Sequence, residues 1–193
     1  MEMRSIVRAI IAGLVAIGLV ILVIVLIVKS FSGGPTRPTG RVDVGNYADT
    51  SATVTLLIDD PTKIDQDHRQ IKISVSNTQN EINIMQGYQG NVIDSRTYSN
   101  NSAAFGAFLQ SLKLMNFSRG TINPKDYRGY CPTGDRYVFT FNDGNKDLFT
   151  YWSTSCGSVG TYGGNKIATL ELIRAQIPVR DYDQLTSSIS TGF

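Results

Sequence analysis

Apolar and polar side chains divide the chain into three regimes. Between Ala9 and Val28 twenty apolar residues follow one another without a polar side chain, with Arg8 before them and Lys29 after. From Ser30 to about Thr50 apolar residues are sparse, and Gly, Pro, Ser and Thr dominate. Beyond that point, short runs with a period of two, or of three to four, alternate with turn residues, as in a folded domain.

A helix over Ala9–Val28 rises about 1.5 Å per residue and is roughly 30 Å long, the thickness of a bilayer's hydrocarbon core. Fifteen of its residues are Ile, Leu or Val, each favouring insertion by roughly 0.3–0.6 kcal/mol at mid-bilayer. Lipid offers the backbone no partners, so a helix is expected despite the β-branched side chains. The rival is a cleaved signal peptide, whose apolar part has about 7–15 residues and ends on small ones. Val28-Lys29-Ser30-Phe31-Ser32 does not fit that ending, and a retained single-pass anchor is expected. Arg4 and Arg8 precede it and Lys29, Arg37 and Arg41 follow, so the positive-inside count is almost a tie. The short basic leader and the two cysteines decide for a cytoplasmic N-terminus and a C-terminal domain outside the cell membrane. The expected division is a leader over 1–8, a transmembrane helix over 9–28 with the lipid bilayer as its partner, a flexible stalk over 29–50 and an extracytoplasmic domain over 51–193. Ala9 with Gly13, and Ala12 with Ala16, are small-residue pairs that let two such helices approach.

In the domain, Ala52–Ile58 reads as a strand stopped by Asp59-Asp60-Pro61. Ile71, Ile73 and Val75 alternate with polar residues, a half-buried strand. Ser76–Asn80 is a turn cluster, and Ile82–Tyr88 and Val92–Tyr98 form a hairpin around Gly90-Asn91. Phe105, Phe108, Leu109, Leu112 and Met115 recur at helical spacing after Asn101 or Ser102 as cap. An irregular stretch over Asn116–Gly134 leads to a second hairpin, Tyr137–Phe141 and Leu148–Trp152, whose Asp143-Gly144 supplies a tight turn. A helix over about Lys166–Gln176 is capped by Asn165, buries Ile167, Leu170, Ile173 and Ile177, and is ended by Pro178. Asp181 caps a last helix carrying Leu185 and Ile189. This order predicts an α+β fold, an antiparallel sheet with helices packed on one face.

Charge changes the picture once the regimes are separated. The whole chain carries a formal +2, but residues 1–41 hold five Lys and Arg against Glu2 alone. The remaining 13 basic and 15 acidic residues make the domain slightly negative. No basic run lies beyond the membrane flank, so nucleic acid is not an expected partner. Cys131 and Cys156 flank the second hairpin at its open end, where a disulfide would add roughly 3–4 kcal/mol on the loop-entropy model. Such bonds belong to oxidising compartments, which supports the external placement.

Candidate catalytic and metal groups each lack a partner. Trp152-Ser153-Thr154-Ser155-Cys156 departs from the Thr-Leu-x-Thr-Cys motif of sortases, and the one histidine, His68, reads as part of a loop with Asp65, Asp67 and Arg69. Asp59, Asp60, Asp65 and Asp67 lack the glycine and distal Glu of a calcium loop, and read as a solvated acidic loop. Gly157, Gly160, Gly163 and Gly164 lead to Lys166 without the Gly-Lys-Ser/Thr of a phosphate loop, and read as a connector. No serine elbow occurs. Neither cofactor nor metal is expected. Aromatic residues gather in the C-terminal half with arginines, and Tyr127, Arg128, Tyr130, Arg136 and Tyr162 are the candidate binding patch, with Asp126–Asp135 as its loop.

In the order of its elements, over about residues 70–178, the domain resembles emfourins, small bacterial inhibitors of metalloproteases built from an antiparallel sheet and two helices. Their glycine-rich segment near the first hairpin is replaced here by Met85-Gln86-Gly87-Tyr88-Gln89-Gly90. The resemblance implies a protease-inhibitor-like role and transfers no residues. The expected function is a non-enzymatic binding or scaffold module with an extracytoplasmic protein as partner. The alternative is a membrane-tethered hydrolase working through carboxylates. A reporter active only outside the cytoplasm, fused after Phe193, is expected to be active; a silent fusion would reverse the orientation.

Overall fold

The computed structural model describes residues 42–121, 126–157 and 159–190. The leader, the apolar run Ala9–Val28 and residues 29–41 of the expected stalk lie outside them. Among the described residues no helix is long and apolar enough to cross a membrane.

Six strands form one antiparallel sheet: β1 (Ala52–Asp59), β2 (Arg69–Ser76), β3 (Gln79–Gln86), β4 (Asn91–Ser99), β5 (Arg136–Asp143) and β6 (Lys146–Thr154), in the spatial order β4-β3-β2-β1-β5-β6. Three α-helices accompany it among the described residues: α1 (Ser102–Leu114), α2 (Lys166–Arg174) and α3 (Val179–Ser190). The order is the one expected from the α+β reading. Gln79 and Asn80, expected in a turn, already belong to β3, which leaves Asn77-Thr78 as the turn.

Alternation along the strands sorts the two faces. Val54, Leu56 and Ile58 of β1 stand opposite Val75, Ile73 and Ile71 of β2 and opposite Phe141, Phe139 and Tyr137 of β5. This face buries against Phe105, Phe108, Leu109 and Leu112 of α1, Leu170 and Ile173 of α2, Ile177 in the link after it, and Leu185 of α3. Burying each such side chain is worth roughly 1.5–3 kcal/mol. Phe117, fully buried after α1, sets its ring edge-on to Phe139, Phe141 and Phe149. The opposite face carries Thr97, Glu81, Ser74, Thr55, Thr140 and Thr150 in one row across all six strands. Having little to bury, it remains open to solvent.

Local chemistry sets the helix ends. Asn101 accepts the Ala104 N–H at 2.9 Å, and Asn165 accepts the Ala168 N–H at 3.2 Å. After α1, Asn116 takes a left-handed backbone with φ 59°, a conformation asparagine tolerates. Two expectations fail here. Ile167 is 66% exposed, because the buried side of α2 runs through Thr169, Leu170 and Ile173. Asp181 sits in the first turn of α3, where it pairs with Arg96 at 2.6 Å and accepts the Tyr98 hydroxyl at 2.8 Å.

The expected stalk is also too long. From residue 42 onward it is part of the fold: a 3-10 turn over Val44–Tyr47 begins with Asp43 accepting the Gly45 N–H, Val44 enters the core, and Tyr47 packs edge-on against Phe141. Lys113 of α1 reaches Asp43 at 2.7 Å. Two valines, Val42 and Val44, and one tyrosine make this anchorage.

Burial raises the phenols of Tyr137 and Tyr162 from 10.0 to about 12, with Asp135 adding to the effect at Tyr137. The fold favours their neutral forms, so their contribution is complete below pH 10 and is lost as the pH rises from 10 towards 12. These two phenols should therefore leave thermal melts unchanged up to pH 10 and make them fall steeply above it, with a loss on the order of 2 kcal/mol per tyrosine. Replacing Tyr162 with Phe should soften that fall, and an unchanged profile would contradict the assignment.

Candidate functional site

Burial departs from simple alternation at one end of the sheet. Ile58 and Asp59 are both buried at the end of β1, as are four successive residues at the start of β5 and four at the end of β6. Both faces are covered there, because the segments 60–68 and 126–135 fold over the open side.

Asp59 is the centre of this end. Its Oδ1 lies 2.8 Å from Nε2 of His68 and accepts Nε2 of Gln70 at 2.9 Å; its Oδ2 lies 2.8 Å from Nε of Arg136. Arg136 and Asp59 face each other across β5 and β1, and Gln70 faces Asp59 from β2. The rest of the Arg136 guanidinium binds the overlying segment, with Nη1 donating to Thr62 Oγ1 at 3.2 Å and Nη2 to the Asp60 carbonyl. Asp60 is itself mostly buried, and burial pushes its carboxyl up while the Lys63 ammonium, 3.7 Å away, pulls it down. Thr62 N–H donates to the Pro132 carbonyl at 2.8 Å, so the two covering segments are joined.

Asp59, Asp60 and His68 thus do not form a solvated acidic loop. His68 is 0% exposed, with its ring stacked 4.0 Å from that of Tyr88. Tyr88 is fixed in turn: its N–H donates to Asp65 Oδ1 at 2.8 Å and its hydroxyl to the Lys63 carbonyl at 2.9 Å. Tyr88 is still 49% exposed, and Ile64 of the covering segment is exposed too.

The other segment is held by the bond between Cys131 and Cys156, whose Cα atoms are 5.6 Å apart. The expected disulfide is present. Gly134 passes so close to both sulfurs and to Ser155 Oγ that a Cβ would not fit. Asp135 and Ser155 exchange backbone and side-chain bonds at 2.9 and 2.8 Å. Tyr130, half-buried, covers the single tryptophan, Trp152, with ring centroids 5.0 Å apart. Tyr127 has its phenol raised by burial, with the nearby Asp59 carboxylate adding to it. Arg128 is exposed and pairs with Asp126 at 2.7 Å, which holds the Asp126 carboxyl below its ordinary range.

Of the expected patch, Tyr127, Arg128 and Tyr130 therefore lie together at the surface. Arg136 does not join them: it is 3% exposed and neutralises Asp59 beneath the loop. Tyr162 belongs to the other face, where its ring lies 4.4 Å from Phe139 and its hydroxyl bonds Thr169 at 2.7 Å. The glycine connector is packed as well, since Gly160 lies against the Trp152 carbonyl with no room for a side chain. Tyr88 was readable only as a strand end; its placement depends on stacking over a distant histidine. No family model matches the chain, and no curated protein is significantly similar to it.

Replacing Arg136 with Met leaves the Asp59 carboxylate buried without its cation, which should cost about 3–5 kcal/mol in urea unfolding. A loss below about 1 kcal/mol would mean that the covering segments are held by something else.

Proposed function

We propose that the domain is a binding or scaffold module, held outside the cell by its N-terminal anchor, that takes a protein partner at the loop end of the sheet. The observation that carries this reading is the set of three tyrosines at the loop end, Tyr88, Tyr127 and Tyr130. Each phenol is partly exposed while its inner side rests on a buried group: Tyr88 on His68, Tyr130 on Trp152, and Tyr127 near Asp59. Aromatic side chains already held in place lose little further entropy on binding, and with a neighbouring arginine they are favoured interface anchors. The disulfide supports the external setting, and the apolar run Ala9–Val28 supports the attachment. A protease-inhibitor-like contact, suggested by the order of elements, is one form of such binding.

A membrane-tethered hydrolase has less support. It would require two acids sharing an accessible cleft, whereas Asp60 is raised by burial at one end of the sheet and the open-face hollow lies elsewhere. That hollow, about 290 Å³, is lined by Thr53, Thr55, Lys72, Ser74, Ser76, Gln79, Glu81 and Asn142. A photo-reactive amino acid placed at Arg128 of the full chain should give one defined protein adduct in cells, and the same probe at Ser74 none. Equal labelling at both positions, or none at Arg128, would overturn the proposal.

A further inference from the structure

We propose that β4 pairs antiparallel with β4 of a second copy of this chain, about a twofold axis through Ser95, joining two six-stranded sheets into one. The sheet has two edges, and they differ. Along β6, Thr161 and Tyr162 donate their N–H groups to the Trp152 carbonyl at 2.8 and 2.9 Å, and Gly160 bridges Ser153. Along β4, among the described residues, no backbone group bonds to any segment but β3. The Ser95 N–H faces outward and is taken by the Asp94 side chain at 2.8 Å.

Uncovered edges are usually blunted by proline, lysine or repeated like charge. The strand reads Asn91-Val92-Ile93-Asp94-Ser95-Arg96-Thr97-Tyr98-Ser99, with neither proline nor lysine. The bulge across from Ile84 and Met85 adds Ile93 to β4 itself and leaves Asp94–Ser99 in regular register. Val92 and Ile93 are 57% and 51% exposed.

The charges are symmetric about Ser95, one acid before it and one base after. With the axis on Ser95, Asp94 stands opposite the second copy's Arg96 and Arg96 opposite its Asp94. Ile93 meets Thr97, two β-branched side chains in a pairing of a kind that stabilises antiparallel strands. The neighbouring twofold registers fail: an axis on Asp94 opposes two carboxylates, and one on Arg96 opposes two guanidinium groups. An axis between residues would place side chains of opposite faces across from each other, which an antiparallel pair does not allow. Arg96 is already oriented by Asp181 and Gln184, at 2.6 and 3.2 Å. Pairing needs only that Asp94 exchange the Ser95 N–H for the second copy's Arg96, while Ser95 finds a backbone carbonyl.

Both natural cysteines are bonded to each other, so an introduced thiol is the sole free one. Full-length protein in mild detergent carrying Ser95→Cys should give a covalent dimer on brief oxidation, because the paired Cα atoms would lie about 5.5 Å apart. Thr97→Cys and Ser99→Cys, displaced from their own copies in this register, should remain monomeric. Adding Asp94→Arg to Ser95→Cys replaces two attractive pairs with two repulsive ones and should lower the dimer yield about tenfold. No dimer at Ser95, equal dimer at all three positions, or indifference to Asp94→Arg would each overturn the proposal.

Discussion

At the end of the central strand, the two oxygens of Asp59 face three donor groups, from His68, Gln70 and Arg136, and the loop end of the domain is arranged around them. β1 is flanked on both sides, so the chain leaving it must cross its neighbours with backbone groups no longer matched by a ladder. Arg136 resolves this by binding the Asp60 carbonyl and Thr62 as well as Asp59. Such a buried ion pair offsets little of its own desolvation. Its effect is directional, since the segment 60–68 can satisfy these groups in one position only. That position brings Tyr88 over His68 and joins Thr62 to the disulfide-bearing loop.

Most of the fold was legible in the residues, because its elements are amphipathic and capped in the ordinary way. The β-branched runs, the helical spacing of Phe105 to Leu112, and the Asn caps all correspond to what the chain forms. Cys131 and Cys156 were legible for a related reason: a hairpin brings its open ends together whatever the rest of the chain does. What could not be read depends on contacts across long separations. Arg136 looks like a surface arginine next to tyrosines, and only the opposing Asp59 explains its burial. Tyr162 differs from Tyr130 in the face of the sheet it covers, which a loop sequence does not encode. Val44 and Tyr47 join the core through α1 and Phe141, far along the chain.

The open face bears on where a partner can act. Its middle row is hydroxyl-bearing on five strands and acidic only at Glu81, so neither a large apolar area nor a strong field is available there. Water already satisfies such groups, and a ligand replacing that water gains little. The loop end is different: its aromatic rings are prearranged over buried groups, and their burial by a partner would be gained without much ordering.

The edge of β4 follows another logic. A single added strand contributes a handful of backbone bonds, each worth roughly 1 kcal/mol net, against an association cost of at least about 4 kcal/mol. Free in solution such pairing is weak. Two copies tethered to one membrane by the proposed anchors would meet at a far higher effective concentration, and the same few bonds then suffice. The demand on the edge is therefore selectivity rather than strength: it must reject misaligned copies and foreign strands. Opposite charges placed symmetrically about Ser95 do this, because any shift of register turns an attraction into a repulsion or leaves a charge without its partner.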